Sequence, residues 1–409
     1  MEKEKSGCGC GCESNPAQTV TTISTFDTIM SAPPESSIKL PKDASEDIAC
    51  CGPAPGPAAS PHEKPGYEIQ PYVKEFISTK AGPVPVIKTK MTTRDLLQTA
   101  LTRSSIGRND YKVAPGLYCT GTPDENSIVL VTSNYKLTFD HLRKELTGVD
   151  AWIILLDTRG INVWCAAGKG TFGTDELVSK IKTTGITRLI NHKKIIVPQL
   201  GATGVSGRDV KKQTGFSIIW GPVHTKDLRG FISNDLKAEP EMRQVTFTLG
   251  ERVVLIPVEV SLTIKPALIV MAVALILAGI GPGIFSFTSV WTKGMPALLV
   301  LVSGIIAGTT LTPVFLNQLP GTAFAVKGAI AGAALSIPVA LMTSYTTGFS
   351  GVTALVLASV TISSFLAMNF TGTTPFTSPS GVEKEMRKAI PIQAAVLIVS
   401  VVLWIYSGF

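Results

Sequence analysis

The stretch that decides the fold of the charged half of this chain is WIILLDTRGINVWCAAGKGTFG, residues 152–173. It opens with a short apolar run followed by turn-forming residues, which predicts a buried strand over Trp152–Asp157. A second candidate strand, Asn162–Cys165, ends in an aromatic residue and a thiol. The small residues and glycines that follow let the backbone pass close to something large and flat. The segment therefore predicts a ligand site where a strand gives way to a helix.

The alternation of strand and helix extends on both sides of this stretch. Further candidates are the strands Ser127–Thr132, Lys194–Pro198 and Ser217–Trp220 and the helices Thr138–Leu146 and Thr174–Thr183. Such alternation over about 145 residues is typical of one doubly wound α/β domain. Ligands of these sheets bind at the carboxyl ends of the strands. We therefore expect the site among the loops at 133–135, 157–160, 199–207 and 221–225.

Several functional classes find little support in the sequence. The run Gly168-Lys169-Gly170-Thr171 resembles the end of a phosphate-binding loop, but Val163 stands where that motif needs glycine. The glycines at 201, 204 and 207 have the wrong spacing for a dinucleotide. The four histidines show no metal-ligand spacing, and the net charge of +7 is not gathered into a basic helix that would bind nucleic acid.

A sharp division of charge excludes a single aqueous globule. From Pro266 to Phe409 the charged residues are only Lys293, Lys327, Glu383, Lys384, Glu385, Arg387 and Lys388. Five apolar segments in this part are each about long enough to cross a hydrocarbon core of about 30 Å. They lie at roughly 267–289, 295–316, 322–345, 350–371 and 389–407. We predict an all-α, five-helix transmembrane domain over 266–409.

The orientation and packing of these segments can also be predicted. The charged connector Glu383–Lys388 lies between the fourth and fifth segments, and the positive-inside bias places it, with the N-terminal part, in the cytoplasm. An odd number of crossings puts the C-terminus on the opposite side of the inner membrane. Glycines four residues apart, at 279/283, 304/308 and 328/332, favour a compact bundle. Prolines 282, 313 and 338 leave open a transporter with a regulatory soluble domain.

The remaining regions have less pattern. Residues 1–84 are predicted to be a disordered tail and linker rich in Cys, Pro and Gly, and 236–265 a β-rich connector between the domains. Alternate residues Cys8, Cys10 and Cys12 place thiols on a flexible backbone, where they can capture a soft metal such as Hg(II). The competing interpretation is a low-complexity tail whose cysteines have no function.

The segment Asn162–Lys169 matches at every position the motif Asn-(Val/Ile)-Trp-Cys-(Ala/Ser)-Ala-Gly-Lys. In this it closely resembles the corrinoid proteins of microbial mercury methylation, the HgcA family. The resemblance covers roughly residues 85–409 and includes Val131–Phe139, the Pro198–Gly207 loop and the order of the apolar segments.

The resemblance implies a Rossmann-like corrinoid-binding domain at 85–235, related to the corrinoid iron-sulfur protein of the acetyl-CoA pathway. It implies that a base-off corrinoid lies beneath a cap and that Cys165 is the lower axial ligand of its cobalt. The cap residues are Asn162, Val163, Trp164, Ala166, Ala167, Gly168 and Lys169. Further expected cofactor contacts lie in the loops at the carboxyl ends of the strands: Asn134, Gly201, Gly204 and Gly221.

The family also implies an activity and partners. A methylated folate-type donor gives its methyl group to cobalt(I), and the methyl group passes to Hg(II) to form methylmercury. A ferredoxin-like protein with two [4Fe–4S] clusters supplies electrons. A corrinoid methyl carrier with another acceptor remains the nearest alternative, because the motif specifies the cofactor more directly than the acceptor. The N-terminal cysteines, including Cys50 and Cys51, are candidates for handing Hg(II) to the site.

Overall fold

The computed structural model describes residues 56–372 and 379–409. The expected metal-capture residues Cys8, Cys10 and Cys12, together with Cys50 and Cys51, lie outside the described residues. The charged half contains a sheet of seven strands: β1 Val73–Thr79, β2 Gly82–Ile87, β3 Gly116–Thr120, β4 Ile128–Ser133, β5 Ala151–Leu156, β6 Lys194–Val197 and β7 Ser217–Trp220.

The sheet is mixed, with the strand order β1-β2-β3-β5-β4-β6-β7. β4 runs parallel to both β5 and β6, and β6 runs parallel to β7. β3 is antiparallel to β5. The carboxyl ends of β4, β5, β6 and β7 therefore meet at one edge, which we call the carboxyl edge. The predicted strands at 127–132, 152–157, 194–198 and 217–220 are confirmed to within about a residue.

Helices cover both faces of the sheet. They are α1 Thr93–Arg103, α2 Lys136–Glu145, α3 Val163–Gly168, α4 Thr174–Thr183, α5 Gly207–Thr214 and α6 Leu228–Ser233. On one face, Phe139 of α2 and Phe231 of α6 belong to one apolar core. On the other, Leu177 of α4 and Val210 of α5 belong to a second core. This arrangement agrees with the expected α/β layers.

Three predictions for this half are wrong in detail. The segment Asn162–Cys165 is not a strand, because the Asn162 side chain caps α3 and starts a helix there. The sheet begins at Val73, inside the region assigned to the tail. The connector 236–265 contains no strand: it holds a 3₁₀ turn at Glu241–Arg243 and the helical segments that lead into the first span. A capping box formed by Thr248 and Glu251 starts a helix at this point. Its effect outweighs the strand preference of the β-branched residues that follow.

The charge-poor half is helical. Its helices, with the segments leading into them, are α7 Leu249–Val253, α8 Ile256–Ala278, α9 Phe287–Ile306, α10 Thr312–Val314, α11 Phe324–Met342, α12 Ser344–Gly372 and α13 Pro379–Tyr406. Within the described residues, five stretches are long and apolar enough to cross a membrane: Leu249–Ala278, Phe287–Val314, Phe324–Met342, Ser344–Phe370 and Gly381–Tyr406. The first differs most from its predicted bounds. Pro266 lies inside the helix. The helix ends at Ala278, and the glycine-rich residues 279–283 lead into and form the turn of a short hairpin.

Two of the three predicted glycine pairs bring helices into close contact. A Cβ on Gly304 or Gly308 would collide with the backbone of α12 at Ser359 or Ser363. Gly328 and Gly332 of α11 approach the same helix in the same way. The prediction for Gly279 and Gly283 is wrong, because Gly279 ends α8 against the side chains of Phe285 and Val290, and a Cβ on Gly283, in the hairpin turn, would meet nothing within 4 Å. Close backbone approach therefore holds α9, α11 and α12 together.

The two halves meet at one end of the bundle, where Ser261 of α8 donates from Oγ to the carbonyl of Ser104 after α1 at 2.8 Å. Within the helical half, Arg252 of α7 donates from Nη1 to the carbonyl of Pro313 at 3.0 Å. At the other end Lys293 donates to the carbonyl of Ser407 at 2.9 Å. The residues near 407 and the α/β domain therefore lie at opposite ends of the helical bundle.

Candidate functional site

The four predicted loops converge at the carboxyl edge. Register places Ser133 at the end of β4 beside Leu156 at the end of β5, and Val197 of β6 beside Trp220 of β7. The residues that follow these strands are therefore neighbours in space. The stretch 157–170, with Cys165 near its centre, leaves β5 in the middle of this edge.

Asn134 organises the loop that leads to the cysteine. Its side chain is fully buried, and its Oδ1 accepts hydrogen bonds from Thr158 N at 3.1 Å, Thr158 Oγ1 at 2.9 Å and Gly160 N at 3.1 Å. Its Nδ2 donates to Asp157 Oδ1 at 3.2 Å. The side-chain amide of Asn134 is therefore bonded to other residues of the loop. In this structure, the expected cofactor contact Asn134 shapes the loop between β5 and α3.

The cysteine itself lies on a short capped helix. Asn162 Oδ1 accepts a hydrogen bond from the Cys165 backbone N–H at 2.9 Å, so this residue is the N-cap of α3. At about 100° per residue, Cys165 lies about 200° around the helix from Val163, which packs toward the sheet. Cys165 is nevertheless only 6% exposed. Trp164 is partly buried and packs against the same core.

The remaining expected cap residues complete the helix. Ala166 and Ala167 are buried, whereas Gly168 is exposed and Lys169 is partly exposed. The Lys169 N–H bonds the carbonyl of Cys165 at 3.0 Å and terminates α3. Small residues therefore follow the cysteine along α3, and the longest polar side chain of the motif lies where the helix ends.

The glycines of the 198–207 loop let that loop pack directly on the cap. A Cβ at Gly201 would lie 2.5 Å from Phe172 Cε1. A Cβ at Gly204 would collide with the Phe172 carbonyl and lie 3.0 Å from the Cα of Ala167. Gly221 sits at the end of β7, where its N–H bonds the Val197 carbonyl at 2.9 Å. In this structure, Gly201 and Gly204 hold the loop against α3 and the residues just after it.

A strap that the sequence did not predict also holds the site loop. Gly56 N–H donates to the Arg159 carbonyl at 3.1 Å, and Ala59 N–H donates to Asp157 Oδ2 at 2.7 Å. Further along the strap, Glu63 pairs with Lys112 at 3.1 Å. Residues 56–63 therefore run across the carboxyl edge beside the loop. Their Pro-rich composition gave no signal beyond that of a linker.

Glu176 supports the loop from the other side. Its Oε1 accepts a hydrogen bond from the Asp157 N–H at 2.8 Å. Burial raises the pKa of this carboxyl above its ordinary value, and the bond to Asp157 and the charge of Lys180 only partly offset that effect. The loop is thus fixed by Asn134 from β4, by the strap and by α4.

Tyr135 lies in the expected loop 133–135, although it was not among the predicted cofactor contacts. It is 5% exposed and directly follows Asn134 at the start of α2. Burial raises the pKa of its phenol; the charges of Arg108 and Arg103 oppose the shift, and that of Cys165 adds to it. The site cysteine therefore lies within electrostatic reach of a buried phenol with two arginines nearby.

The other described cysteine has a different environment. Cys119 lies within β3, fully buried, with Sγ 3.7 Å from the carbonyl of Pro85. Burial, with a smaller contribution from Glu75, raises the pKa of this thiol to about 12. Both cysteines belong to the apolar core on one face of the sheet, but only Cys165 lies at its carboxyl edge. Within residues 56–372 and 379–409, no group of three or more His, Cys, Asp or Glu side chains is placed to hold a metal ion.

Comparison with known proteins gives matches to this domain. Residues 84–232 match the family described as CO dehydrogenase/acetyl-CoA synthase delta subunit. A relative from Methanopyrus kandleri, the acetyl-CoA decarbonylase/synthase complex subunit gamma, is 33% identical over 130 residues, which are 31% of this chain and 28% of that protein. The subunit of the same name from Methanocaldococcus jannaschii is 32% identical over 130 residues, 31% of this chain and 26% of that protein. The chain thus spans only about a quarter of the length of these relatives. The family match covers the α/β domain that carries Cys165.

Proposed function

We propose that this chain is a membrane-anchored corrinoid methyltransferase that forms methylmercury from Hg(II), with Cys165 as the lower axial ligand of cobalt. The observation that carries the proposal is the capped helix Val163–Gly168 at the carboxyl edge, where the strand–loop–helix order brings one thiol among small residues. The similarity to acetyl-CoA decarbonylase/synthase subunits over the same domain supports the corrinoid part.

The residues of the cap fit such a cofactor. A thiolate is a soft donor suited to a transition metal, and Cys165 is presented on a helix whose neighbouring residues, Ala166, Ala167 and Gly168, have little bulk. When bound, a corrinoid supplies a cobalt centre that can accept and release a methyl group. Asn162 holds the cap by bonding the Cys165 N–H, and Trp164 anchors it to the core. Lys169, at the end of α3, would bind an acidic or amide group at the rim of the corrin ring.

The contacts of the surrounding loops would act on the position of Cys165. Asn134, Gly201 and Gly204 are assigned to holding the cap in place, because their side chain or backbone packs against the loop or α3. Gly221 borders the same edge at the end of β7. Cys165 would hold the cobalt as a thiolate, and its electron donation would favour transfer of a methyl group to Hg(II).

The proposal includes partners and a location. A ferredoxin-like protein with two [4Fe–4S] clusters would act as the reductant, and a methylated folate-type compound as the methyl donor. Cys8, Cys10 and Cys12 would capture Hg(II) for the site. The five apolar stretches support anchoring in a membrane. We place the α/β domain in the cytoplasm, and thus the anchor in the cytoplasmic membrane, on the charge of the connector Glu383–Lys388.

The test is methylmercury formation in cells that express the chain with and without a ferredoxin-like partner. We expect product only with both proteins, and none from Cys165→Ala. Cys119→Ala is the matched control, because that thiol is buried in β3 away from the edge. Full activity of Cys165→Ala would refute the role of Cys165 as a cobalt ligand. If the chain holds no corrinoid after incubation with the cofactor and purification, the cofactor assignment is refuted.

A second candidate is a corrinoid methyl carrier with another acceptor. The similarity to subunits of acetyl-CoA decarbonylase/synthase favours it, because the names of those proteins refer to an acetyl-CoA complex and not to mercury. Methyl transfer from the loaded chain to Hg(II) and to a low-molecular-weight thiol distinguishes the two. Faster transfer to Hg(II) supports the first proposal, and transfer to the thiol alone supports the second.

A further inference from the structure

Helix α1 turns its polar side inward and its leucines outward. Its two buried residues are Asp95 and Thr102. Leu96, Leu97 and Leu101 are 58%, 61% and 39% exposed. Ile106, just beyond the helix, is 60% exposed. A surface helix normally buries its apolar side, so these residues form an unusual apolar patch, which we call the leucine face.

A buried ion network fixes this orientation. Asp95 pairs with Arg143 at 3.0 Å and with Lys136 at 3.5 Å, both on α2. Asp140 completes the network with Lys136 at 2.6 Å and Arg143 at 2.7 Å. Turning α1 to bury its leucines would remove Asp95 from two buried cations, which is strongly unfavourable. The leucine face is therefore held outward by charges beneath it.

Helix α4, on the opposite face of the sheet, shows the ordinary arrangement. Its apolar residues Leu177, Val178 and Ile181 are all buried. The exposed leucines of α1 are thus a local feature and do not reflect a loosely packed domain. They need an apolar cover that the described part of the chain does not provide.

The position of α1 indicates which cover is available. Ser104, the C-cap of α1, accepts a hydrogen bond from Ser261 in the first apolar stretch. Next to Ser261, Leu262 and Ile264 are 60% and 51% exposed. The apolar surface of the first span is therefore continuous with the end of the leucine face.

The length of the first span places this contact at the membrane boundary. Its long helix, α8, has 23 residues. At about 1.5 Å per residue it is about 35 Å long, roughly 5 Å longer than a hydrocarbon core. If α8 ends with the core at Ala278, its first residues lie outside the core, and Ser261 falls near the start of the core. Lys265, one turn deeper, is long enough to reach back to the headgroups.

We propose that α1 lies in the interface of the phospholipid bilayer, with Leu96, Leu97, Leu101 and Ile106 among the acyl chains. Exposed Lys90 and Arg94, at the start of α1, would contact headgroup phosphates. Lipid is the occupant that the continuity with the first span favours. The α/β domain is then attached at two places, by the first span and by α1, and its orientation to the membrane is fixed.

The test uses the full chain in nanodiscs of phosphatidylcholine and phosphatidylglycerol that contain a phospholipid with a diazirine in its acyl chain. Trypsin cuts after Arg94 and Arg103 and releases Asp95–Arg103, which carries the three leucines of the helix. The matched control is Gly170–Lys180 from α4, and lipid-facing residues of α8 are the positive control. We expect lipid adducts on Asp95–Arg103 on the order of tenfold above the α4 peptide.

A triple variant, Leu96→Gln with Leu97→Gln and Leu101→Gln, tests the leucine face directly. These side chains are exposed, so the fold should persist, and unchanged adducts on α8 would verify it. We expect the adducts on the α1 peptide to fall to the α4 level. Adducts no higher than those of α4 in the natural chain, or adducts that persist in the variant, would each overturn the proposal.

Discussion

Replacement of Asn134 by alanine should loosen the loop that carries the cap, whether or not a cofactor is bound. Thr158 N–H and Oγ1 keep second partners, the carbonyls of Leu156 and Ile161. Gly160 N–H has no other hydrogen-bond partner shown within the described residues. Losing the amide bonds and leaving this buried donor unpaired should cost about 3 kcal/mol in the stability of the loop. Opening of the loop should then be on the order of 100-fold more frequent.

Hydrogen exchange of the full chain, read by mass spectrometry on peptides covering 157–168, measures this opening. Asn126→Ala is the matched control, because Asn126 is exposed in a turn and should change stability by less than about 0.5 kcal/mol. We expect faster exchange at Gly160 and Cys165 in the Asn134 variant, without added corrinoid. Exchange equal to that of the control would refute the structural role of Asn134 and leave contact with the cofactor as its function.

Three further results are expected. Gly204→Ala should destabilise the domain by about 2 kcal/mol in thermal unfolding, because the new methyl group meets backbone, whereas Gly250→Ala, with nothing within 4 Å, should be near neutral; equal effects would contradict the packing. Burial alone would raise the pKa of Asp95, but hydrogen bonds from Thr92 and Arg143 hold it below its ordinary value of 3.8. The Asp95 carboxylate therefore stabilises the fold above pH 3.8, and this stabilisation is lost as the pH falls below that value. Asp95→Asn should therefore lower stability by about 3 kcal/mol at pH 7 and weaken its dependence on acid, and a pH profile parallel to that of the natural chain would contradict this. Cys119, with a pKa of about 12, should react with iodoacetamide at pH 8 on the order of 1000-fold more slowly in the folded chain than in urea, as measured on its peptide.

The strands at the carboxyl edge could be predicted because each is a short apolar run between turn residues. The helix α3 could not be predicted from its own residues, since Val163 and Trp164 favour strand and only the bond from Asn162 to the Cys165 N–H starts the helix. The strands β1 and β2 were missed because they alternate with charged residues and prolines in a region whose composition suggests a linker. In the bundle, the apolar composition predicted the spans, whereas the end of the first depended on the glycine-rich turn after Ala278.

The sequence by itself determined that the chain divides near Lys265 into a charged α/β half and an apolar helical half, and that Cys165 is the thiol in a motif of small residues. These properties are local, because periodicity and composition are written along the chain. Only the tertiary structure decided that Asn134, Glu176 and the strap hold the loop before the cap, and that Gly201 and Gly204 pack on it. It also decided that α1 faces outward with its leucines, since the charges that hold it belong to α2, some forty residues further along the chain.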